Sequence, residues 1–263
     1  TSWAGGLRRI EISNASNSNQ TWTNVPLPDD NDVFLMTCDD TFYVNKDGKE
    51  VLKNYYLNPR DPLDGGNHNH KAFSVLAYSD TVWVGTAKGI NRGLLGENGC
   101  INWEHFSFPE DEISGNFVVG LARQFWNNKN IIWAVTMNAE DRREERGLSY
   151  TTNDGLTWNT TLIQERVYNV VAYENIILAA TENGLWKSID GGSSWDLHYS
   201  IQAVFDVAID SEGKIWIGTN YGLIVIDETL SKTVRLLSLT NTLTYPAYNV
   251  PALIYEDILW NNR

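Results

Sequence analysis

Short apolar segments rich in Ile, Val and Trp recur along the chain, each bounded by polar residues. Four align position by position: Thr81-Val82-Trp83-Val84-Gly85-Thr86, Ile131-Ile132-Trp133-Ala134-Val135-Thr136, Ile176-Ile177-Leu178-Ala179-Ala180-Thr181 and Lys214-Ile215-Trp216-Ile217-Gly218-Thr219. Each holds a large apolar anchor, and a threonine follows that anchor by three residues. Weaker copies at Trp3, Tyr43 and Trp260 give anchors at 3, 43, 83, 133, 178, 216 and 260, spaced by 40, 40, 50, 45, 38 and 44 residues. Ahead of an anchor lies another β-rich run and a polar turn, as in Ala72 to Tyr78 followed by Ser79-Asp80, or Val204 to Ile209 followed by Asp210 to Gly213. These pairs read as hairpins. After the anchor come Gly-Leu or Gly-Ile (Gly89, Gly147, Gly184, Gly222), a third strand, a second polar turn and a fourth strand holding a Trp.

Four antiparallel strands per 40–50 residues is the period of a propeller blade. The predicted fold class is therefore all-β, a β-propeller of four-stranded antiparallel blades occupying 1–263 as one domain. Units at 30–58, 70–108, 116–163, 167–199 and 202–238 read as complete blades. Residues 1–27 and 250–263 are expected to share a sixth, which would remove the exposed edges of an open array. The alternative is part of a seven-bladed or tandem propeller.

The turns between third and fourth strands carry the sharpest local signal. Thr151-Thr152-Asn153-Asp154-Gly155-Leu156-Thr157-Trp158 and Ser188-Ile189-Asp190-Gly191-Gly192-Ser193-Ser194-Trp195 both fit Ser/Thr-x-Asp/Asn-x-Gly-x-x-Trp. A short Asp or Asn side chain can bond the turn's own amides, Gly tolerates the left-handed residue, and the Trp packs back between sheets. This match resembles the Asp-box of sialidase-like and sortilin-like β-propellers. Val82 to Thr86 and Ile215 to Leu223 also resemble the repeats of two-component-regulator-type propellers. Both resemblances imply fold far more than function. Thr151, Asn153, Gly155, Trp158, Ser188, Asp190, Gly192 and Trp195 are accordingly read as structural.

Composition narrows the possible partners. Thirty-three acidic residues against twenty basic ones give a formal charge of −13, which repels nucleic acid and anionic membranes. No apolar run reaches the roughly 20 residues of a membrane span. The chain opens Thr1-Ser2-Trp3, as a processed or excised piece would. Cys38 and Cys100 are read as separate thiols, with a disulfide as the alternative. Sequons at Asn14, Asn19 and Asn159 bear on the reading only for a eukaryotic secretory source.

In a propeller the loops joining fourth to first and second to third strands share a face, and here that face is the uneven one. Its insertions run from Asn58 to Lys71, Phe108 to Glu112 and Met137 to Arg146. Long loops on a rigid scaffold commonly carry function. Candidate carboxylates for a glycosidase are Asp61, Asp64, Glu110 and Asp111, although nothing pairs any two of them. Candidate ligand contacts are Arg60, His68, His70, Arg142, Arg143, Arg166, Tyr245 and Tyr248. His68 and His70 are weak metal candidates, because alternate residues of an extended segment point the same way. The bland alternative is a pair that bonds a long loop into place. The run from Glu140 to Arg146 alternates in sign and reads as a solvated loop, with an anion-binding guanidinium fork as its alternative. His105 and His198 read as outer-strand surface positions. Enzymatic sialidases carry an arginine-isoleucine-proline signature, from which Arg8-Arg9-Ile10-Glu11 departs. Glycine phosphate loops, GxSxG, CxxC and HExxH are all missing.

The leading expectation is a secreted or cell-surface propeller, bacterial in type, that binds or scaffolds a glycan or an extracellular protein without catalysis, cofactor or membrane insertion. One alternative is a glycoside hydrolase or polysaccharide lyase working from the insertion face. Another is the sensory portion of a larger signalling protein with further domains.

Overall fold

The structure, a computed structural model, describes residues 6–10, 22–38, 43–46, 48–52, 68–227 and 233–237. Apart from one 3-10 turn at His68–His70, the regular elements among them are β-strands. The chain divides into two compact units, Thr1–Arg123 with Lys129–Gln164, and Gln124–Asn128 with Glu165–Arg263.

In the first unit β1 (Leu7–Arg9) pairs with β2 (Thr23–Val25). Strand β3 is Phe34–Met36, and β4 (Tyr43–Lys46) and β5 (Lys49–Leu52) form a hairpin. Next come β6 (Ala72–Tyr78), β7 (Thr81–Thr86), β8 (Gly89–Leu95) and β9 (Ile101–Phe106), then β10 (Phe117–Trp126), whose end from Gln124 belongs to the second unit, β11 (Lys129–Met137), β12 (Gly147–Thr151) and β13 (Asn159–Thr161). The second unit holds two four-stranded sheets. They are β14 (Val167–Tyr173), β15 (Ile176–Thr181), β16 (Gly184–Ser188) and β17 (Asp196–Tyr199), then β18 (Val204–Ile209), β19 (Ile215–Thr219), β20 (Gly222–Asp227) and β21 (Thr233–Leu237). Each of β10–β13, β14–β17 and β18–β21 forms one sheet in sequence order.

The sheet of β6–β9 has a fifth member. Strand β3 lies antiparallel against β9, with Leu35 opposite Trp103. Strand β3, which falls in the unit expected over 30–58, thus extends the sheet of β6–β9. A disulfide between Cys38 and Cys100, with Cα atoms 5.5 Å apart, fixes the same junction. This corrects the expectation of two separate thiols: β3 brings Cys38 beside the turn before β9. Most of the terminal blade expected from 1–27 with 250–263 lies outside the described residues.

The recurrent threonines and glycines have a shared cause. The hydroxyls of Thr86, Thr181 and Thr219 donate to the carbonyls of Gly89, Gly184 and Gly222 over 3.0, 3.0 and 2.9 Å. They also accept the amides of Lys88, Asn183 and Tyr221, closing the turn between second and third strands. At Gly89 (φ +115°) and Gly184 (φ +136°) a Cβ would run into the carbonyls of Phe106 and Tyr199 on the fourth strand. Only glycine permits both the backbone angle and that approach.

The anchors fill the cores. Trp83, Trp133 and Leu178 are fully buried. Trp158 packs with Trp83 and Phe106, at ring distances of 6.1 and 5.8 Å, so the end of one sheet's third-to-fourth turn closes against the preceding sheet. In the second unit Leu178, Leu185, Val204, Val207, Ile217 and Ile224 form one cluster.

Candidate functional site

The loops of the first unit are built around two polar pins. Asn69, fully buried, lies 2.8 Å from both Asn91 and the Thr86 hydroxyl and donates to the carbonyl of Pro28 at 2.9 Å. The carboxylate of Asp30 accepts the amides of His68 and Asn69 at 3.0 and 2.7 Å. His68-Asn69-His70 is thus a 3-10 turn and not the extended segment expected, because these bonds wind it around Asn69. His70 is buried with Nε2 3.0 Å from the Leu27 carbonyl. His68 is half-buried, with Nδ1 3.0 Å from Lys71 Nζ and Nε2 3.3 Å from Glu140. The two rings have different surroundings, and the described residues contain no group of three or more His, Cys, Asp or Glu able to hold a metal.

The second pin is Glu144. The charged run from Glu140 to Arg146 is not uniformly solvated, because Glu144 is buried. Its carboxylate accepts amides from Asn116 (3.0 Å), Ala139 (2.6 Å) and Asp141 (3.1 Å). Those bonds fold the loop back onto the segment before β10. Asn116 in turn exchanges two bonds with the backbone of Phe108 at 2.8 and 2.9 Å, holding the loop that follows β9. Arg142 is exposed. Arg143 pairs with Asp141 at 2.6 Å and stands 5.5 Å from the Phe108 ring. The Arg143 side chain and amide hold the Asp141 carboxyl at about 2, below the usual range.

Between residues 30–34 and 104–111 lies a cleft of about 550 Å³, also lined by Gly155 and Leu156. Its volume falls within the roughly 300–1,000 Å³ of ligand pockets. Acidic residues are Asp30, Asp32, Glu104, Glu110 and Asp111, with Lys88 opposite in charge. Glu104 is paired to Arg92 at 2.6 Å. Asp111 accepts the Ser107 amide at 2.8 Å, and burial raises its carboxyl above the usual range against the lowering effects of that amide and His105. Asp32 and Glu110 are exposed. His105, expected on an outer surface, is buried, because β3 covers β9. Its ring nitrogens meet the carbonyls of Asp32 and Lys88 at 3.1 and 2.8 Å.

The structure therefore brings Glu110, Asp111, His68 and Arg143 onto linked loops of one unit. Arg166 belongs to the other unit, exposed and 5.5 Å over the Tyr168 ring, which meets Phe205 at 5.2 Å. Tyr168 and Phe205 are each the extra residue of a bulge at the start of β14 and β18. Arg60, Asp61, Asp64, Tyr245 and Tyr248 lie outside the described residues. The contributions of Asp32 and Phe34 were missed, since only the pairing of β3 with β9 carries them to the loop at Glu110.

Repeated sheets with a loop-built cleft define the class: the fold is a β-propeller. The two component regulator propeller family matches over residues 198–221, which contain the Trp216 anchor. Three solved structures share the fold. The chain matches the extracellular domain of BT4673 from B. thetaiotaomicron, described as a hybrid two component system, at 13% identity and TM-score 0.50, over 91% of this chain and 30% of that one. The extracellular domain of BT3049 from the same organism, similarly described, matches at 14% identity and TM-score 0.51, over 74% and 25%. PorZ, a surface component of the type-IX secretion system of Porphyromonas gingivalis, matches at 15% and 0.51, over 75% and 31%. The chain thus spans less than a third of the length of each. Among curated proteins, none matches the sequence.

Proposed function

We propose that the chain is a non-catalytic binding or scaffold module of a secreted or cell-surface protein, offering its loops to a glycan or an extracellular protein. The observation that carries this reading is the cleft beside Glu110. Its carboxylates are largely committed within the protein: Asp30 to two amides, Glu104 to Arg92 and Asp111 to Ser107. A glycosidase instead needs two carboxyl groups opposed across one bond, about 5–5.5 or 6.5–9.5 Å apart. The Cys38–Cys100 disulfide supports an oxidising compartment, and the extracellular placement of the similar domains supports the same setting. The two third-to-fourth turns, in this reading, are Asp-boxes serving as structural staples. The regulator-type match further favours a place within a longer sensory protein.

Incubating the purified chain with neutral and acidic polysaccharides, while recording both retention and new reducing ends, tests the reading. Retention without cleavage is the expected result. New reducing ends that disappear in Glu110→Gln or Asp111→Asn would make the chain a hydrolase or lyase and overturn it.

A further inference from the structure

The cleft combines two surfaces that folding alone does not require to meet. Val33, Phe34 and Leu156 leave 56, 67 and 82% of their area in solvent. They line the same space as the exposed carboxylates of Asp32 and Glu110. Exposed apolar area beside concentrated like charge marks a recognition surface better than a solvated one. The Arg143 guanidinium stands over the Phe108 ring at 5.5 Å and interacts electrostatically with Glu110, although Asp141 holds it. An aromatic face and a neighbouring carboxylate are a general cation receptor.

We propose that this cleft docks an extended cationic peptide segment in which Lys or Arg residues alternate with large apolar ones. The proposal rests on the binding-module reading and names its partner by chemistry. Basic side chains of the segment meet Asp32 and Glu110, and apolar ones cover Phe34 and Leu156. The net charge of −13 draws such a segment in, and the apolar lining separates it from a simple polyamine.

The test is fluorescence anisotropy with the whole chain and a capped, labelled hexapeptide of alternating arginine and leucine. Comparison probes are arginine–serine and glutamate–leucine hexapeptides, spermine, and the polysaccharide panel. The arginine–leucine peptide is expected to bind most tightly. Asp32→Asn with Glu110→Gln should weaken it by roughly five- to tenfold, two exposed pairs being lost. Phe34→Ser should weaken it by about tenfold through lost apolar contact. A control pair that removes the same charge from residues outside the cleft lining, Asp196→Asn with Glu212→Gln, should change it by less than about twofold, since neither residue lines the cleft. Thermal melts confirm that each variant folds. Equal loss in the control pair, or equal binding of spermine or the arginine–serine peptide, would reduce the effect to bulk charge and overturn the proposal. Polysaccharide retention that fails in the cleft variants, with no peptide bound, would overturn the peptide and keep the binding module. Retention of neither would overturn both.

Discussion

Asp190 and Asn153 hold equivalent places in two turns and differ by one ionisable group. In one turn Ser188 donates to Asp190, and Asp190 accepts the Ser194 amide at 2.9 Å and the Ser194 hydroxyl at 2.6 Å. In the other, Thr151 donates to Asn153, whose oxygen accepts the Thr157 amide at 3.0 Å and whose nitrogen donates to the Thr157 hydroxyl at 2.9 Å. A hydroxyl can act in either direction, so Asp190→Asn should fold with the Ser194 hydroxyl reversed. Bonds from Ser194 hold the Asp190 carboxyl at about 2, against about 3.9 for a free one. Its stabilising contribution is therefore complete above the free value and lost as pH falls through the folded one. Acid unfolding of wild type should show this loss between about pH 4 and 2, and Asp190→Asn should flatten that segment. An identical acid profile in the variant would contradict the assignment. The two tryptophans of these turns also differ. Trp158 is buried at 2% exposure, whereas Trp195 is half-buried and donates to the Gly192 carbonyl at 3.1 Å. Trp158→Ala should cost about 3–5 kcal/mol in urea unfolding, and the half-buried Trp195→Ala clearly less.

At the scale of elements, the strands written in repeats were legible and the one borrowed from elsewhere was not. Thr86 and Gly89 declare a hairpin locally, because hydroxyl, amide and carbonyl all lie within a few residues. Phe34–Met36 has no such local logic. Its position depends on pairing with β9 across 68 positions and on a disulfide spanning 62. The burial of His105 and the assembly of the cleft both follow from that long-range pairing, which explains why neither was read from the chain. Glu144 was hidden for the same reason, since a charge run gives no sign that one carboxylate turns inward to collect amides. The disulfide should therefore govern β3 in particular. For a closure of this length the chain-entropy relation gives about 4 kcal/mol. Reduction, or Cys38→Ser with Cys100→Ser, should lower stability by up to that amount. Amide exchange should accelerate first at residues bonded across the junction, such as Thr37 to Ile101 at 3.0 Å. Uniform acceleration over all sheets would show that β3 is not a separately stabilised element.

For the whole molecule the deciding quantity is charge. An excess of thirteen acidic residues repels itself in any compact state, while individual exposed ion pairs such as Arg143–Asp141 contribute little. Salt should thus stabilise the fold. Between about 0.01 and 0.1 M the screening length shortens from about 30 to about 10 Å, which removes repulsion between distant acids but leaves close pairs largely intact. The melting temperature should rise by about 2–4 °C for each kcal/mol relieved. The same change should weaken docking of the arginine–leucine peptide, since that attraction also acts over distance. Opposite signs for folding and binding in one salt titration are therefore the expected signature of an acidic surface with a cation-seeking cleft. A melting temperature that falls with salt would instead place the stabilising electrostatics in local pairs, with Arg92–Glu104, less exposed than Arg143–Asp141, the first to test.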